Sequence, residues 1–241
     1  MLHKTRGIVF HVTDYSESSV VAKIYTELFG LQSYLVNSVR KKNPKVKPTA
    51  LQPLALVDLV VYHKERSGLS RVADVRNNPA LKSIPFDIRK SSIILFMNEV
   101  LFKSLKEEEA NESLFNFIFN SVELLDLQES NFSDFHLVFL VQLTKHLGFY
   151  PHEKFSEATP VFNLQEGLFQ AEEPLHPFYI IPPLSQYFDL LLKSSQYFSG
   201  DIQVPHLYKR QLIEKMIEYF QLHVSGFGNM KSHKVLEEVW S

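Results

Sequence analysis

The chain of 241 residues contains no cysteine. That absence removes disulfides, thiolate nucleophiles and cysteine-ligated zinc together, and it fits a reducing, cytoplasmic setting. Long apolar runs are missing too. Ile93 to Met97 is among the longest, far short of the roughly 20 residues that a helical bilayer span requires, so no membrane segment is expected. The stretch Met1-Leu2-His3-Lys4-Thr5-Arg6 has none of the apolar character of a secretory signal, and export is not expected. Glycine is scarce, and none of the eight falls in G-x-x-x-x-G-K-[ST] or G-x-G-x-x-G; Gly226-Phe227-Gly228 is the nearest approach. P-loop hydrolysis and Rossmann dinucleotide binding are therefore unsupported. No G-x-S-x-G elbow seats a serine nucleophile. The ten histidines include no His-x-x-x-His pair and no H-E-x-x-H.

What chemistry remains is diffuse. His152, Glu153, Glu157, Glu172, Glu173 and His176 flank a proline-rich stretch, and gathered together they would be competent metal ligands or acid–base groups. Solvated loop residues are the simpler reading. His136, His146 and His223 fall in helical stretches, as surface or hydrogen-bonded, partly buried residues. No catalytic residue, metal or cofactor is expected.

The charge is more informative. A net charge of −2 averages two unlike parts: residues 1–78 carry 12 Lys and Arg against 6 Asp and Glu, whereas 79–241 carry 13 against 21. Such asymmetry argues for two modules, one of them facing a polyanion. The basic part reads as strands at Ile8 to Val12, Val20 to Thr26, Leu31 to Val39, Leu54 to Tyr62 and Leu69 to Val75, separated by turn residues. Five short strands in under 80 residues cannot make a large sandwich. A small barrel hides its sheet edges, and the OB-fold is the common five-stranded form. After Asn77-Asn78-Pro79 the apolar period becomes helical: about Asp87 to Lys106, Glu112 to Leu127 and Asp134 to Leu147, with Asn111 and Ser133 as N-caps and Gly148 past the last C-terminus. Apolar residues nearly surround these helices, as in a bundle that buries them. An irregular excursion, 149–183, holds six of the twelve prolines, with one hairpin at Val161 to Asn163 and Leu168 to Gln170. Helices at Leu184 to Tyr197, from Pro205 (as the first helical residue) to near Gly226, and at Ser232 to Val239 close the chain. The fold class is α+β: an OB-fold barrel over 1–78, then an all-α domain over 79–241.

Arg40-Lys41-Lys42-Asn43-Pro44-Lys45-Val46-Lys47-Pro48 puts five cations between the third and fourth strands. A charge run by itself is most often a solubilising loop. Here it joins a basic barrel with Arg6, Lys23, Arg71 and Arg76 in or beside strands, and Tyr15, Tyr25 and Tyr34 offer rings for stacking. Cationic grooves with aromatic platforms hold single strands without reading sequence. The nine candidate contacts are Arg6, Lys23, Arg40, Lys41, Lys42, Lys45, Lys47, Arg71 and Arg76.

Five segments in order resemble RecO, the bacterial recombination mediator family. Thr5-Arg6-Gly7-Ile8-Val9 with Tyr15-Ser16-Glu17-Ser18-Ser19 opens the match, and Leu51-Gln52-Pro53-Leu54 follows. Phe139-Leu140-Val141-Gln142-Leu143 runs to Leu147-Gly148-Phe149-Tyr150-Pro151. Tyr208-Lys209-Arg210-Gln211-Leu212 precedes Tyr219-Phe220-Gln221-Leu222-His223, and Lys231-Ser232-His233-Lys234-Val235-Leu236 ends it. The resemblance implies an OB-fold and a helical domain. It also implies DNA repair and recombination in the RecF pathway without enzymatic activity: binding of single- and double-stranded DNA, annealing of complementary strands, and help in loading RecA onto DNA coated by single-strand-binding protein. The implied partners are RecR, the C-terminal tail of single-strand-binding protein, RecF and RecA, in the cytoplasm at the nucleoid. Many members carry a four-cysteine zinc site after the L-G-Y-x-P segment; this chain departs there, so its excursion must be held by packing. An acidic tail ending in apolar residues wants an apolar pocket rimmed with cations, for which Arg89, Lys103, Lys106, Lys145, Lys209 and Arg210 are the candidates. An RNA-binding or ribosome-associated OB-fold protein is the alternative; an enzyme using His152 and His176 is a third reading.

Overall fold

The computed structural model describes residues 1–39, 44, 46–63, 69–106, 108–152, 154–194 and 204–240. Five strands close a barrel: β1 (Leu2–Asp14), β2 (Val20–Thr26), β3 (Gly30–Val36), β4 (Leu56–Tyr62) and β5 (Ser70–Asn77), in the order β1-β2-β3-β5-β4 and back to β1. All pairs are antiparallel except the short parallel contact of β3 with β5. This is the OB-fold arrangement. The first strand is longer than the apolar run Ile8 to Val12 because it serves two neighbours. Leu2 to Ile8 pair with β4, and Gly7 to Asp14 pair with β2. A register shift between Val9 and His11 lets one strand turn this corner.

Alternate side chains fill the barrel: Val9, Val20, Ala22, Ile24, Tyr34, Val36, Val57, Leu59, Val61 and Val75, with Val46 and Ala50 added from the β3–β4 connection. Gly7 has no room for a side chain, since a Cβ there would lie 2.7 Å from both Ile24 and Leu59. Leu54 was expected to open the fourth strand, but it sits in a turn at φ 53°, donating its amide to Val9 O at 2.7 Å.

Three helices lie within two residues of the ranges their apolar period predicts: α1 (Ile88–Ser104), α2 (Glu112–Leu127) and α3 (Phe135–Leu147). Asp87 accepts the amides of Arg89 and Lys90, and Asn111 accepts that of Leu114. Gly148 ends α3 at φ 83°. Ser133 is not the cap of α3. Asp134 stands there, and the Ser133 hydroxyl donates to the Asp134 carboxylate instead.

The chain forms two compact units, Met1–Leu127 and Gln128–Ser241. In the first, α1 and α2 cover the outer face of β1 and β2. Phe10 stacks on Tyr25 at 5.8 Å, Tyr25 meets Phe115 at 6.2 Å, and Asn98 donates to Phe10 O at 3.0 Å. The second unit is built on α3, whose residues from Phe135 to Thr144 are all buried. It contacts α4 (Leu184–Lys193) and α5 (His206–His223). A three-stranded sheet, β6 (Val161–Asn163), β7 (Leu168–Gln170) and β8 (Tyr179–Ile180), and α6 (Ser232–Trp240) complete it. Pro205 occupies the N-cap of α5, one residue earlier than its expected place inside the helix.

Candidate nucleic-acid interface

Of the nine cations proposed on the barrel side, Arg40, Lys41, Lys42 and Lys45 lie outside the described residues. The other five differ in how free they are. Arg6, on β1, donates through Nη2 to Glu27 at 2.7 Å and to Asn116 Oδ1 at 3.0 Å. Its guanidinium also lies 5.1 and 4.9 Å from the ring centres of Phe115 and Phe119. The hydrogen bond and charge of Glu27 raise its pKa, and Arg6 in turn lowers that of Glu27. Arg6 thus joins the barrel to α2, and this explains a cation on a strand without a ligand. Arg76 is exposed but sits 2.9 Å from Asp74. Lys47 and Arg71 are exposed, at the approach to the 3-10 turn Pro48–Leu51 and near the start of β5.

Lys23, on β2, is exposed and holds its ammonium 5.4 Å from the ring centre of Phe102 on α1. Directly across the ladder from Lys23 is His11, exposed, with its ring 5.1 Å from Phe102. Neither His11 nor Phe102 stood out in the sequence. No spacing rule brings a helix residue onto a strand pair 79 and 91 positions earlier; the available signal was an aromatic between Leu101 and Lys103 at a helix end.

The tyrosine expectation is corrected. Tyr15 is 60% exposed, but Tyr25 is 2% and Tyr34 0% exposed, one under α2 and the other inside the barrel. Burial pushes the Tyr34 hydroxyl up to about 12. Period-2 alternation places these rings on one face or the other, and in this barrel both faces of β2 are partly covered.

The six cations expected to meet protein partners are divided between the units. Arg89 is exposed in the first turn of α1. Lys103 pairs loosely with Glu99 at 3.8 Å, and Lys106 is exposed just beyond that helix. In the second unit, Lys145 donates to Gln142 at 2.9 Å and lies over Tyr150. Lys209 and Arg210 share a concavity, a pocket of about 150 Å³ also lined by Ser133, His136, His206, Ile213, Leu236, Glu237 and Trp240. Lys209 donates to Ser133 at 2.9 Å and pairs with Asp134 at 3.1 Å. Arg210 pairs with Glu214 at 3.2 Å and Glu237 at 3.5 Å. Burial raises the pKa of Asp134 in spite of Lys209. Burial, helped by the Lys209 charge, pushes His136 down to about 3. A larger groove of about 500 Å³ in the first unit, between Pro53, Leu81, Phe86 and Leu95, has no charged residue in its lining.

The excursion is held by rings. Phe162 lies 5.0 Å from Phe169, 4.6 Å from Phe188 and 5.7 Å from Tyr219, and the Tyr219 hydroxyl donates to Phe149 O at 2.7 Å. His152 is exposed, and His176 Nδ1 accepts the amide of Phe178 at 3.2 Å. Among the described residues no three His, Asp or Glu converge as a metal site, and no helix is long and apolar enough to cross a membrane.

Comparison with known proteins agrees with this architecture. The family model "Recombination protein O N terminal" matches residues 1–77, the whole barrel, and "Recombination protein O C terminal" matches residues 85–233. The chain is similar to the DNA repair protein RecO of Bacteroides fragilis, 34% identical over the full length of both. It is 32% identical to that of Phocaeicola vulgatus, again over all of both chains. Identity reaches 35% with that of Flavobacterium psychrophilum, over 99% of each. Two adjoining matches that span barrel and helices, and relatives of equal length, lead to one conclusion: the chain belongs to the recombination protein O family of DNA repair proteins.

Proposed function

We propose that this protein binds single- and double-stranded DNA, anneals complementary strands and helps load RecA onto DNA coated by single-strand-binding protein, together with RecR and, in the RecF pathway, RecF. It makes and breaks no covalent bond, and it acts at the nucleoid in the cytoplasm. The barrel over 1–78 holds DNA, and the helical part over 79–241 recruits proteins. The observation that carries this reading is the charge of the barrel: 12 cations against 6 carboxylates, with Lys23, Lys47, Arg71 and Arg76 exposed on it. Backbone-directed Lys and Arg neutralise two strands and leave base edges free to pair, which is what annealing requires.

The tail of single-strand-binding protein, acidic and ending in apolar residues, suits the smaller pocket. Ile213, Leu236 and Trp240 give it an apolar floor, and Lys209 and Arg210 stand at its edge. Asp134 and Glu237 hold those cations in the free protein, so a tail carboxylate would take their place. The larger groove, lacking charge in its lining, suits an acidic tail less well.

Annealing of complementary oligonucleotides with and without single-strand-binding protein and RecR tests the reading directly. Accelerated annealing on coated strands is expected. A clear preference for RNA over DNA of equal length would overturn it in favour of an RNA-binding OB-fold protein.

A further inference from the structure

His11 and Lys23, both exposed, form a cross-strand pair on the barrel. Two residues directly opposite on β1 and β2 both approach one aromatic ring, Phe102, from a helix lying on that face. The register shift just before His11 adjusts which way this end of β1 presents its side chains. The next pair on the same face is Thr13 with Val21, neither of which carries a charge. Lys103, which pairs loosely with Glu99 at 3.8 Å, and the exposed Lys106 follow Phe102 at the end of α1.

We propose that Phe102 and His11 form a base-stacking platform for single-stranded DNA, with Lys23 supplying the adjoining phosphate contact. This rests on the DNA-binding reading and gives it a place. Phe102 is half-buried, so its ring is fixed in orientation and loses little freedom when a base lies on it. The Lys23 ammonium now stands over that ring with its own side chain in solvent. Such a cation–π contact is weak when exposed, weaker than a stacked base. A base can therefore take the place over Phe102 and release Lys23 to a phosphate. The exchange is sequence-tolerant, because every base has a π-face. With Tyr25 and Tyr34 buried, Phe102 of the helix supplies the ring on this face that those two tyrosines cannot.

Bases paired inside a duplex cannot stack on a protein ring, and this gives a direct test. Affinities of the whole protein for a fluorescent oligo(dT) and for a blunt duplex of equal length are measured for the wild type, Phe102→Leu, His11→Ala and Lys23→Ala, alongside each melting temperature. Phe102→Leu keeps an apolar side chain against the barrel and loses the ring. It should weaken oligo(dT) binding at least roughly fivefold while duplex affinity stays within a factor of two. His11→Ala, on an exposed side chain whose removal leaves the core untouched, should lower oligo(dT) affinity alone and by less. Lys23→Ala should lower both. Equal losses on both DNAs for Phe102→Leu and His11→Ala would overturn the platform in favour of a phosphate or folding effect. Unchanged oligo(dT) affinity in both variants would overturn it too, leaving DNA binding by other residues intact. Failure of the wild type to bind either DNA would overturn the underlying DNA reading as well.

Discussion

His136 sits in α3 with 3% of its surface exposed, beside a cation that it cannot join in bearing charge. Burial and Lys209 push its pKa from the ordinary 6.5 to about 3. The folded protein therefore refuses a proton that the unfolded chain accepts near 6.5. Stability from this residue is fully present above that pH and falls as pH drops toward 3, by up to about 1.4 kcal/mol per pH unit. Asp134, whose pKa burial raises, works in the opposite sense: its contribution is full below the ordinary carboxylate pKa and is lost as pH rises through its raised value. Comparing the wild type with His136→Leu cancels the Asp134 effect to first order. Melting temperatures between pH 7.5 and 4.5 should fall more steeply for the wild type than for His136→Leu. Parallel profiles would show that His136 is solvated enough to charge without unfolding. Its neighbours Lys209 and Ser133 line the same pocket, so a neutral His136 also keeps like charge away from Lys209, leaving that ammonium for carboxylates.

The proline-rich excursion has no cysteine, so no cysteine-ligated zinc can hold it. Its substitute is a packed group of rings around Phe162, which is fully buried, reinforced by polar latches. Asn163 Oδ1 accepts the amides of Gln165 and Glu166 in the hairpin turn. His223 on α5 bonds Leu164 O at 2.8 Å. Gly167 turns the hairpin at φ 67° under Tyr219, whose hydroxyl would lie 2.8 Å from an added Cβ. Phe162→Ala should cost about 3–5 kcal/mol, read as a large drop in melting temperature, whereas a metal chelator should leave the wild-type melt unmoved. A chelator-sensitive melt would show a metal held by other ligands. The hairpin was legible in the sequence because Glu166-Gly167 marks its turn and apolar residues flank it on both sides. Asn111 likewise marked the start of α2, which runs from Glu112 to Leu127 as its apolar period predicts. What strand periodicity could not give was which face of β2 the helices would cover. That depends on packing between segments far apart in sequence, so Tyr25 read as a free ring and His11 and Phe102 did not register.

At the scale of the whole molecule the signal that carried furthest was electrostatic. A basic barrel followed by an acidic helical part is a property of sums, and it survives errors in any one strand boundary. The contacts within it are more selective than the sum. Arg6 is held by Glu27, Asn116 and two rings, and Arg76 by Asp74, so neither is as available to a phosphate as Lys23 or Lys47. Counterion release makes this countable. If about six cations engage a single strand, the slope of log K against log salt should be roughly −4. Replacing Arg40, Lys41, Lys42, Lys45 and Lys47 together by glutamine removes five possible contacts from one connection between strands. If those five belong to the six, the slope should flatten to about −0.7, with the melting temperature little changed because Lys47, the one among them that is described, is exposed. A slope still near −4 would instead assign the DNA path to the face bearing Lys23, with Lys103 and Lys106 beyond it. In that case the loop contributes only to solubility, and Lys23→Ala combined with substitutions at Lys103 and Lys106 should flatten the slope where the loop variant did not.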